Sequence, residues 1–206
     1  MTHFQTINVN NMASMFYGLS SLTSLDVTNF QTINVEYMSS MFCGCSKLTS
    51  IDVTKFQTKK VKSMRDMFNC CNKLQSINVS SFDTSSVTDF DIMFHYCESL
   101  VSIDISNFKT SSLKTMRNMF GYCSSLTSIN LENFDTKSLE TIDSLFLECK
   151  SLSSIDISSF PKRLNYNNVF TNINLKGKII VNNDIYEKIT SLLKTGSYNW
   201  DIELKE

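Results

Sequence analysis

The sequence predicts an α/β repeat solenoid in which each coil contributes one short helix and one short strand. Two observations lead to this prediction. Phenylalanine recurs with a fixed 26-residue period, and inside each repeat the spacing of apolar residues changes from helical to alternating. A chain of 206 residues with this period holds about seven coils. The recurring phenylalanines are Phe4, Phe30, Phe56, Phe82, Phe108, Phe134 and Phe160.

The first half of each repeat has the apolar pattern of a short helix. In the fourth repeat the apolar positions follow the spacing i, i+3, i+6, i+7 and i+10. Thr84 precedes them by three residues, and a hydroxyl there predicts an N-terminal helix cap. The same threonine recurs in the other repeats. The predicted inward residues are Val87, Phe90, Met93, Phe94 and Cys97.

The second half of each repeat has the alternation of a strand. Leu100, Ile103 and Ile105 are predicted to point inward, around outward Ser102 and Asp104. Helix, turn and strand in this order predict parallel strands that stack into one continuous sheet. The phenylalanine that follows each strand is predicted to stack along the rod as an aromatic column.

The two ends of the chain depart from the repeat. Val9, Met12, Met15 and Phe16 are predicted to face solvent or a missing neighbour, since no polar cap precedes them. This pattern favours a segment of a longer array, or end-to-end stacking through an uncapped N-terminal edge.

Residues 1–160 therefore form the predicted solenoid, and residues 161–206 a degraded last repeat with a C-terminal cap. Pro161 interrupts the pattern, and Leu164, Val169 and Phe170 are out of register. A strand at 177–181, a helix at 184–193 and a final strand around Trp200 are predicted to make the cap. Asn183 or Asp184 would begin the helix and Gly196 would end it.

Composition limits the function classes. The net charge is −1, which gives no global attraction to nucleic acid or to an anionic membrane. No apolar run approaches the roughly 20 residues of a membrane-spanning helix, and the N-terminal residues do not have the pattern of a signal peptide. The third repeat is locally basic, but a charged run is more often a solvated face than a polyanion site.

The repeat MFxxCxxLxSIDVSxFxTxxVxxM resembles the BspA-like leucine-rich-repeat surface proteins in their 26-residue form. The resemblance covers residues 4–160, and the tail with IIV, Tyr and Trp200 is similar to the usual ending of that family. It implies a right-handed leucine-rich-repeat solenoid with a concave parallel sheet, and display at a cell surface or secretion. It also implies adhesion or host-protein binding for some members, and it carries over no catalytic residue.

The outward strand positions form a polar strip on the predicted concave face. This strip could meet a basic partner or bind cations weakly, but it lacks the Trp, Tyr and Arg that favour interaction hot spots. We expect a solvated face whose side chains bond along the rod, and we keep its aspartates as candidate binding residues. These are Asp26, Asp52, Asp104 and Asp156.

Seven cysteines include one column at the inward positions. Leu19 occupies this column in the first repeat, so the position accepts an apolar group and buried free thiols are expected. Cys43 and Cys70 lie beside the column, but their spacing does not match that of a structural zinc site. No metal and no cofactor are predicted. The column consists of Cys45, Cys71, Cys97, Cys123 and Cys149.

Contact residues are better sought at positions that vary between repeats. His95 lies at such a position and is expected to be exposed, and neither it nor His3 has a catalytic partner placed by a motif. Tyr37, Tyr96 and Tyr122 also lie at variable positions and, with His95, complete the set of candidate binding residues.

These observations predict a non-catalytic interaction or adhesion module that binds a protein or glycan, such as a host extracellular-matrix protein. It would bind no nucleic acid and insert no segment into a membrane. The alternative is a structural or assembly segment of a longer repeat protein without its own ligand. The resemblance favours a cell-surface or secreted location, although free cysteines would equally suit a cytoplasmic protein.

Overall fold

The computed structural model describes residues 5–205, so Phe4 and His3 lie outside the described residues. It has an α/β fold with one parallel sheet of four strands in the order β1-β2-β3-β4. The strands are β1 (Ser128–Asn130), β2 (Ser154–Asp156), β3 (Lys176–Val181) and β4 (Asn199–Leu204), and the helix α1 is Tyr186–Thr195. This arrangement is compatible with a repeat solenoid.

The strand register follows the sequence period until the last repeat. Ser128 of β1 pairs with Ser154 of β2, one full repeat later. Ser154 pairs with Lys178 of β3, which lies two positions short of a full repeat. Phe170 likewise follows Phe146 at two positions short of a repeat, and their rings still stack, with centroids 6.4 Å apart. The residues that are out of register in the sequence are therefore brought into register by a shorter connection.

The helix predicted for each repeat is wrong. Residues 89–97 form a series of turns, and among residues 5–205 the single α-helix is α1. We call residues 89–97 and their equivalents in the other repeats, such as 63–71 and 115–123, the turn segments. The five residues predicted to face inward are nevertheless all buried, namely Val87, Phe90, Met93, Phe94 and Cys97.

Two alternating hydrogen-bond patterns explain why a turn segment is not a helix. The N–H groups of Ile92 and Phe94 point out of their own repeat and donate to Arg117 O and Met119 O of the next, at 2.8 and 2.9 Å. Between them, the N–H of Met93 donates back to Phe90 O at 3.2 Å. Every second donor is therefore used between repeats, which is incompatible with the i to i−4 bonding of an α-helix.

The recurring threonine also acts between repeats and does not cap a helix. Thr84 Oγ1 donates to Lys109 O at 3.0 Å and accepts the N–H of Lys109 at 2.8 Å. Thr32 makes the same pair of bonds with Gln57. The buried hydroxyl is thus fully paired with the backbone of the following repeat.

The aromatic column along the rod is not the one that the sequence suggested. Phe68, Phe94 and Phe120 stack at 5.5 and 5.8 Å, inside a continuous series of rings from the turn segments. The predicted column is buried, but from Phe56 to Phe160 its successive members make no ring contact with each other. The stacked series consists of Phe16, Phe42, Phe68, Phe94, Phe120, Phe146 and Phe170.

The prediction that every repeat contains a strand is also wrong. Within the described part of the repeats, regular strands appear only at β1 and β2, and the equivalent segment at 102–104 is extended without a ladder. Neighbouring repeats there are joined by single long bonds, such as Val101 N–H to Gln75 O at 3.3 Å. Single parallel bridges between Ser63, Asp89 and Thr115 link the starts of the turn segments instead.

The ends differ partly from expectation. Met12 and Phe16 are buried within the chain, and Val9 and Met15 are half-buried, so these four residues are covered better than predicted. Leu19, which was predicted to face inward at the position of the cysteine column, is instead 44% exposed. The predicted strand, helix and strand of the C-terminal region are all present. Gly196 ends α1 as predicted, but the N-cap residue is Ile185, which makes no side-chain cap bond, and not Asn183 or Asp184.

Candidate interaction surface

The side of the rod formed by the turn segments carries a surface whose backbone is strained. Each turn segment has two residues with positive φ, and in the fourth and fifth repeats the second of these is Tyr96 (φ 57°) and Tyr122 (φ 61°). Gly18 and Gly44 occupy the same position in the first two repeats. A left-handed backbone costs a non-glycine residue roughly 1–2 kcal/mol. Cys70, Glu148 and Asn172 adopt the same conformation at this position, so it belongs to the repeat and is not specific to the two tyrosines.

Three rings form a compact cluster at this position. Tyr96 and Tyr122 stack with ring centroids 4.4 Å apart and planes 19° apart. His95 meets both rings edge-on, at 4.4 Å from Tyr96 and 5.5 Å from Tyr122. All three side chains are half-buried. We call His95, Tyr96 and Tyr122 the aromatic patch; the structure thus brings together three of the predicted binding residues.

His95 is less exposed than expected, because its ring lies across the next repeat. A Cβ added to Gly121 would approach His95 Cδ2 to 2.9 Å, so only glycine leaves room for the ring there. His95 Nδ1 lies 3.3 Å from Asn69 Oδ1. Burial lowers the pKa of His95, and the carboxylate of Asp66 opposes this only in part. The imidazole is therefore neutral at pH 7 and packs as an aromatic group.

Tyr96 is fixed in the same environment. Desolvation and the neighbouring Tyr122 raise the pKa of the Tyr96 hydroxyl, so the phenol stays neutral over the physiological range. The patch therefore offers uncharged aromatic faces and hydroxyl groups. Because Tyr is enriched at interaction hot spots, this chemistry suits a protein or carbohydrate partner.

Tyr37 does not join the aromatic patch. It lies at the start of an earlier turn segment, where its side chain is 44% exposed. Its ring lies 5.8 Å from Lys62 Nζ, and Lys62 in turn pairs with Glu36 at 2.5 Å. Tyr37 is thus an isolated exposed ring beside an ion pair.

The aspartates of the polar strip serve local turns. Asp26 Oδ1 accepts the N–H and the hydroxyl of Thr28 at 3.0 and 2.6 Å, and Asp104 Oδ1 accepts the N–H of Ser106 at 3.0 Å. Asp52 makes the same bonds with Thr54. These bonds join residues two apart in the same repeat, so the bonding of Asx and hydroxyl side chains along the rod that we expected is replaced by local bonds at these three aspartates.

Asp156 differs from the other strip residues because it is buried. Its carboxylate bonds Ser158 at 2.9 and 2.6 Å, and Lys205 Nζ lies 3.6 Å from it. The C-terminal end therefore covers Asp156, and the exposed part of the strip is limited to Asp26, Asp52 and Asp104 among the predicted residues.

A buried charge cluster on the turn side was missed by the sequence reasoning. Asp91 is 1% exposed and accepts bonds from Arg65 at 2.8 Å and from the Arg117 side chain at 2.7 and 2.9 Å. It also accepts the Arg117 N–H at 2.7 Å and the Thr115 hydroxyl. Charges of alternating sign at positions 65, 91 and 117, each one repeat from the next, were the signal that could have revealed it. This cluster ties together the repeats on which the aromatic patch stands.

The cysteines are free thiols, as predicted. Cys97 Sγ donates to Phe68 O at 3.2 Å, and the other members of the column make the equivalent bond across repeats. Burial raises the pKa of Cys149 to about 12, so the thiol is not a nucleophile at neutral pH. Across residues 5–205, no group of three or more His, Cys, Asp or Glu side chains is placed to hold a metal ion.

Comparison with known proteins identifies the family but no activity. No helix within the described residues is long and apolar enough to cross a membrane. Curated proteins contain no significant match to the chain. The family model described as "Mycoplasma protein of unknown function, DUF285" matches twice, over residues 1–78 and 71–182. The two matches together span most of the chain, which therefore belongs to the DUF285 family.

Proposed function

We propose that the chain is a non-catalytic interaction module that binds a protein or glycan partner through the aromatic patch. One observation carries the proposal. Tyr96 and Tyr122 occupy left-handed backbone positions where the first two repeats have glycine, and they stack at 4.4 Å on the surface of the rod. The left-handed backbone recurs in every repeat, with Cys70 and Glu148 at the equivalent position, so the proposal rests on the stacked rings. Tyrosine is enriched at interaction hot spots, and the patch presents two of them together.

The scaffold in this proposal is a right-handed leucine-rich-repeat solenoid of about seven coils with a concave parallel sheet. The resemblance to the BspA-like surface proteins supports it, as do backbone bonds that repeat at a near-constant interval along the chain. The same resemblance supports adhesion and a cell-surface or secreted location. Free thiols are equally compatible with a cytoplasmic location.

The chemistry of the patch favours some partners over others. Neutral aromatic rings and hydroxyls can stack on sugar rings or pack against apolar protein side chains. No Lys or Arg belongs to the patch, so it offers no phosphate contact of the kind on which nucleic-acid binding depends. Host extracellular-matrix proteins and their glycans are therefore the first partners to test.

Capture of immobilised matrix proteins and glycans tests the proposal, with Tyr96→Gly/Tyr122→Gly as the decisive variant. Glycine removes both rings and also relieves the backbone strain, so we expect binding to weaken more than tenfold while thermal stability is unchanged or higher. Tyr37→Ser is the matched control, since it removes an exposed tyrosine outside the patch and should bind like the parent.

Two results would contradict the proposal. Unchanged capture by the double glycine variant would exclude the patch as the contact. Loss of capture by Asp52→Asn/Asp104→Asn, with the glycine variant unaffected, would move the contact to the polar strip.

A structural or assembly role is the second candidate, because the N-terminal edge of the rod has unused acceptors. The turn segment of the first repeat has four carbonyls that receive no N–H within residues 5–205, whereas the four equivalent carbonyls of the second repeat, at positions 37, 39, 41 and 43, are all bonded. End-to-end stacking would use them. Concentration-dependent light scattering tests this role, and a monodisperse monomer at high concentration would argue against it. The carbonyls are those of Asn11, Ala13, Met15 and Tyr17.

A further inference from the structure

The opposite end of the ladder also has unused backbone groups. The last turn segment, residues 165–173, receives the N–H groups of Ser144, Phe146 and Glu148 at its carbonyls, with distances of 2.8, 3.2 and 2.9 Å. By the pattern of the preceding repeats, its own N–H groups of Asn168, Phe170 and Asn172 should each donate to a carbonyl of a following segment. In the described part of the chain only Asn172 has an acceptor, the hydroxyl of Tyr198 at 2.9 Å.

The helix α1 explains the two unpaired donors. It follows the last turn segment and packs where another turn segment would otherwise lie. At its end, the carbonyls of Leu192, Leu193 and Lys194 already receive the N–H groups of residues 196–198. A helix uses its carbonyls internally, so it cannot continue a ladder that requires a row of acceptors.

A cavity of about 300 Å³ lies between the last turn segment and α1. We call it the C-terminal cleft. Its volume is at the lower limit of ligand pockets. Its lining includes the two residues with unpaired N–H groups, together with the end of the helix. The residues that bear on the argument are Asn168, Phe170, Leu192, Thr195 and Tyr198.

We propose that the C-terminal cleft binds a peptide segment in the conformation of a turn segment, whose carbonyls accept the N–H groups of Asn168 and Phe170. The junctions between the preceding repeats show which groups pair with such a row of N–H donors. At the preceding junctions, N–H groups two residues apart donate to backbone carbonyls two residues apart, as from Ile92 and Phe94 to Arg117 and Met119. A bound peptide would thus complete the ladder by backbone augmentation, with affinity from the main chain.

The lining distinguishes a peptide from a small anion. Every residue that lines the cleft is uncharged, and Lys188, whose Nζ lies 4.8 Å from the centroid of the Tyr166 ring, already donates to the carbonyls of Lys162 and Leu164. Leu192, Phe170 and Tyr198 instead provide apolar contact for the side chains of a peptide. Neutral carbonyls flanked by apolar groups therefore match the cleft better than a charged oxygen does.

The probe is an acetylated and amidated peptide with the sequence of residues 10–19. In the fold, this segment has the row of carbonyls that receive no N–H within the described residues. Titrated into the ¹⁵N-labelled full chain, it should cause saturable shifts of the Asn168 and Phe170 amide signals. Thr195→Trp fills the cleft from the helix and should weaken binding by about tenfold or more.

Ser191→Trp is the matched control, because Ser191 is an exposed residue of the same helix outside the cleft lining. It should bind the peptide like the parent. The proposal is overturned if the peptide shifts neither amide, or if Thr195→Trp binds as tightly as Ser191→Trp. Equal shifts with acetate would identify a simple anion site and would also overturn it. These outcomes are independent of the aromatic patch, which lies on earlier repeats.

Discussion

The turn side and the strand side of the repeats are held together differently. On the turn side, alternate N–H groups, the recurring thiols and a continuous stack of phenylalanines all bond or pack across repeats. On the strand side, the aspartates of the polar strip bond within their own turn, whereas side chains such as Ser81 and Asn107 bond to the backbone of the preceding repeat. Strands in the repeats form only at β1 and β2 within residues 5–205. Backbone bonds between repeats are therefore more regular on the turn side, which also positions the aromatic patch.

The largest expected effect on stability comes from truncating one phenylalanine in the stacked series of the turn segments and one in the column that the sequence predicted. Phe94 stacks on two neighbours, at 5.5 and 5.8 Å, whereas Phe82 has no ring contact with its column neighbours Phe56 and Phe108. Truncation of a buried phenylalanine costs about 3–5 kcal/mol. Lost ring pairs add about 0.5–1.5 kcal/mol each.

We therefore expect Phe94→Ala to lower the free energy of unfolding more than Phe82→Ala, and both to destabilise the chain severely. Urea denaturation followed by circular dichroism measures the two. A loss from Phe82→Ala equal to or greater than that from Phe94→Ala would contradict the role assigned to the turn-side stack.

A smaller effect is expected from the buried charge cluster. Asp91→Asn keeps the shape of the side chain but removes the charge that accepts bonds from Arg65 and Arg117. Hydrogen bonds to charged groups contribute about 1.5–3 kcal/mol to stability. Because both arginines are partly exposed, we expect Asp91→Asn to lower the free energy of unfolding by about 2 kcal/mol, near the lower end of that range. Asp104→Asn on the strand side should cost less than about 1 kcal/mol. Equal losses of unfolding free energy for Asp91→Asn and Asp104→Asn would contradict the distinction between the turn side and the strand side.

The pH dependence of stability provides a second measurement on Asp91. Burial tends to raise the pKa of this carboxyl, but bonds from Arg117 and Thr115 outweigh it and hold the pKa below the ordinary 3.8. A carboxyl with a lowered pKa adds stability that is present above its ordinary pKa and disappears as the pH falls through the folded-state value. Asp91→Asn should therefore flatten the loss of stability below about pH 4, and a curve parallel to that of the parent would contradict this assignment.

The smallest effect is the difference in thiol reactivity. The column cysteines of the turn side are buried and bonded, whereas Cys70 is half-buried. Alkylation of the native chain should modify Cys70 first and leave the column cysteines slow, and seven thiols should react after denaturation. Mass spectrometry measures both. Fewer than seven modifications in the denatured, unreduced chain would demonstrate a disulfide.

Much of the internal arrangement was predictable from residue types alone. The repeat period located every inward apolar column, the thiols and the strand, helix and strand of the C-terminal region, because burial selects apolar residues at fixed positions. The aromatic patch was predicted only as separate candidates. Its clustering depends on Gly121, which makes room for His95, and on the left-handed backbone of Tyr96 and Tyr122.

Residue types along the chain are sufficient to predict which side chains face inward, but the acceptors of the backbone N–H groups depend on how neighbouring repeats pack. A helix and a turn segment bury the same five residues of the fourth repeat, so hydrophobic spacing cannot distinguish them. Every second N–H of a turn segment points outward because it donates to a carbonyl of the next repeat. The packing of neighbouring repeats also brings the turn-segment phenylalanines into stacking contact and places Asp91 between Arg65 and Arg117. These are interactions between residues one repeat apart in the chain, and they exist only once neighbouring repeats have packed.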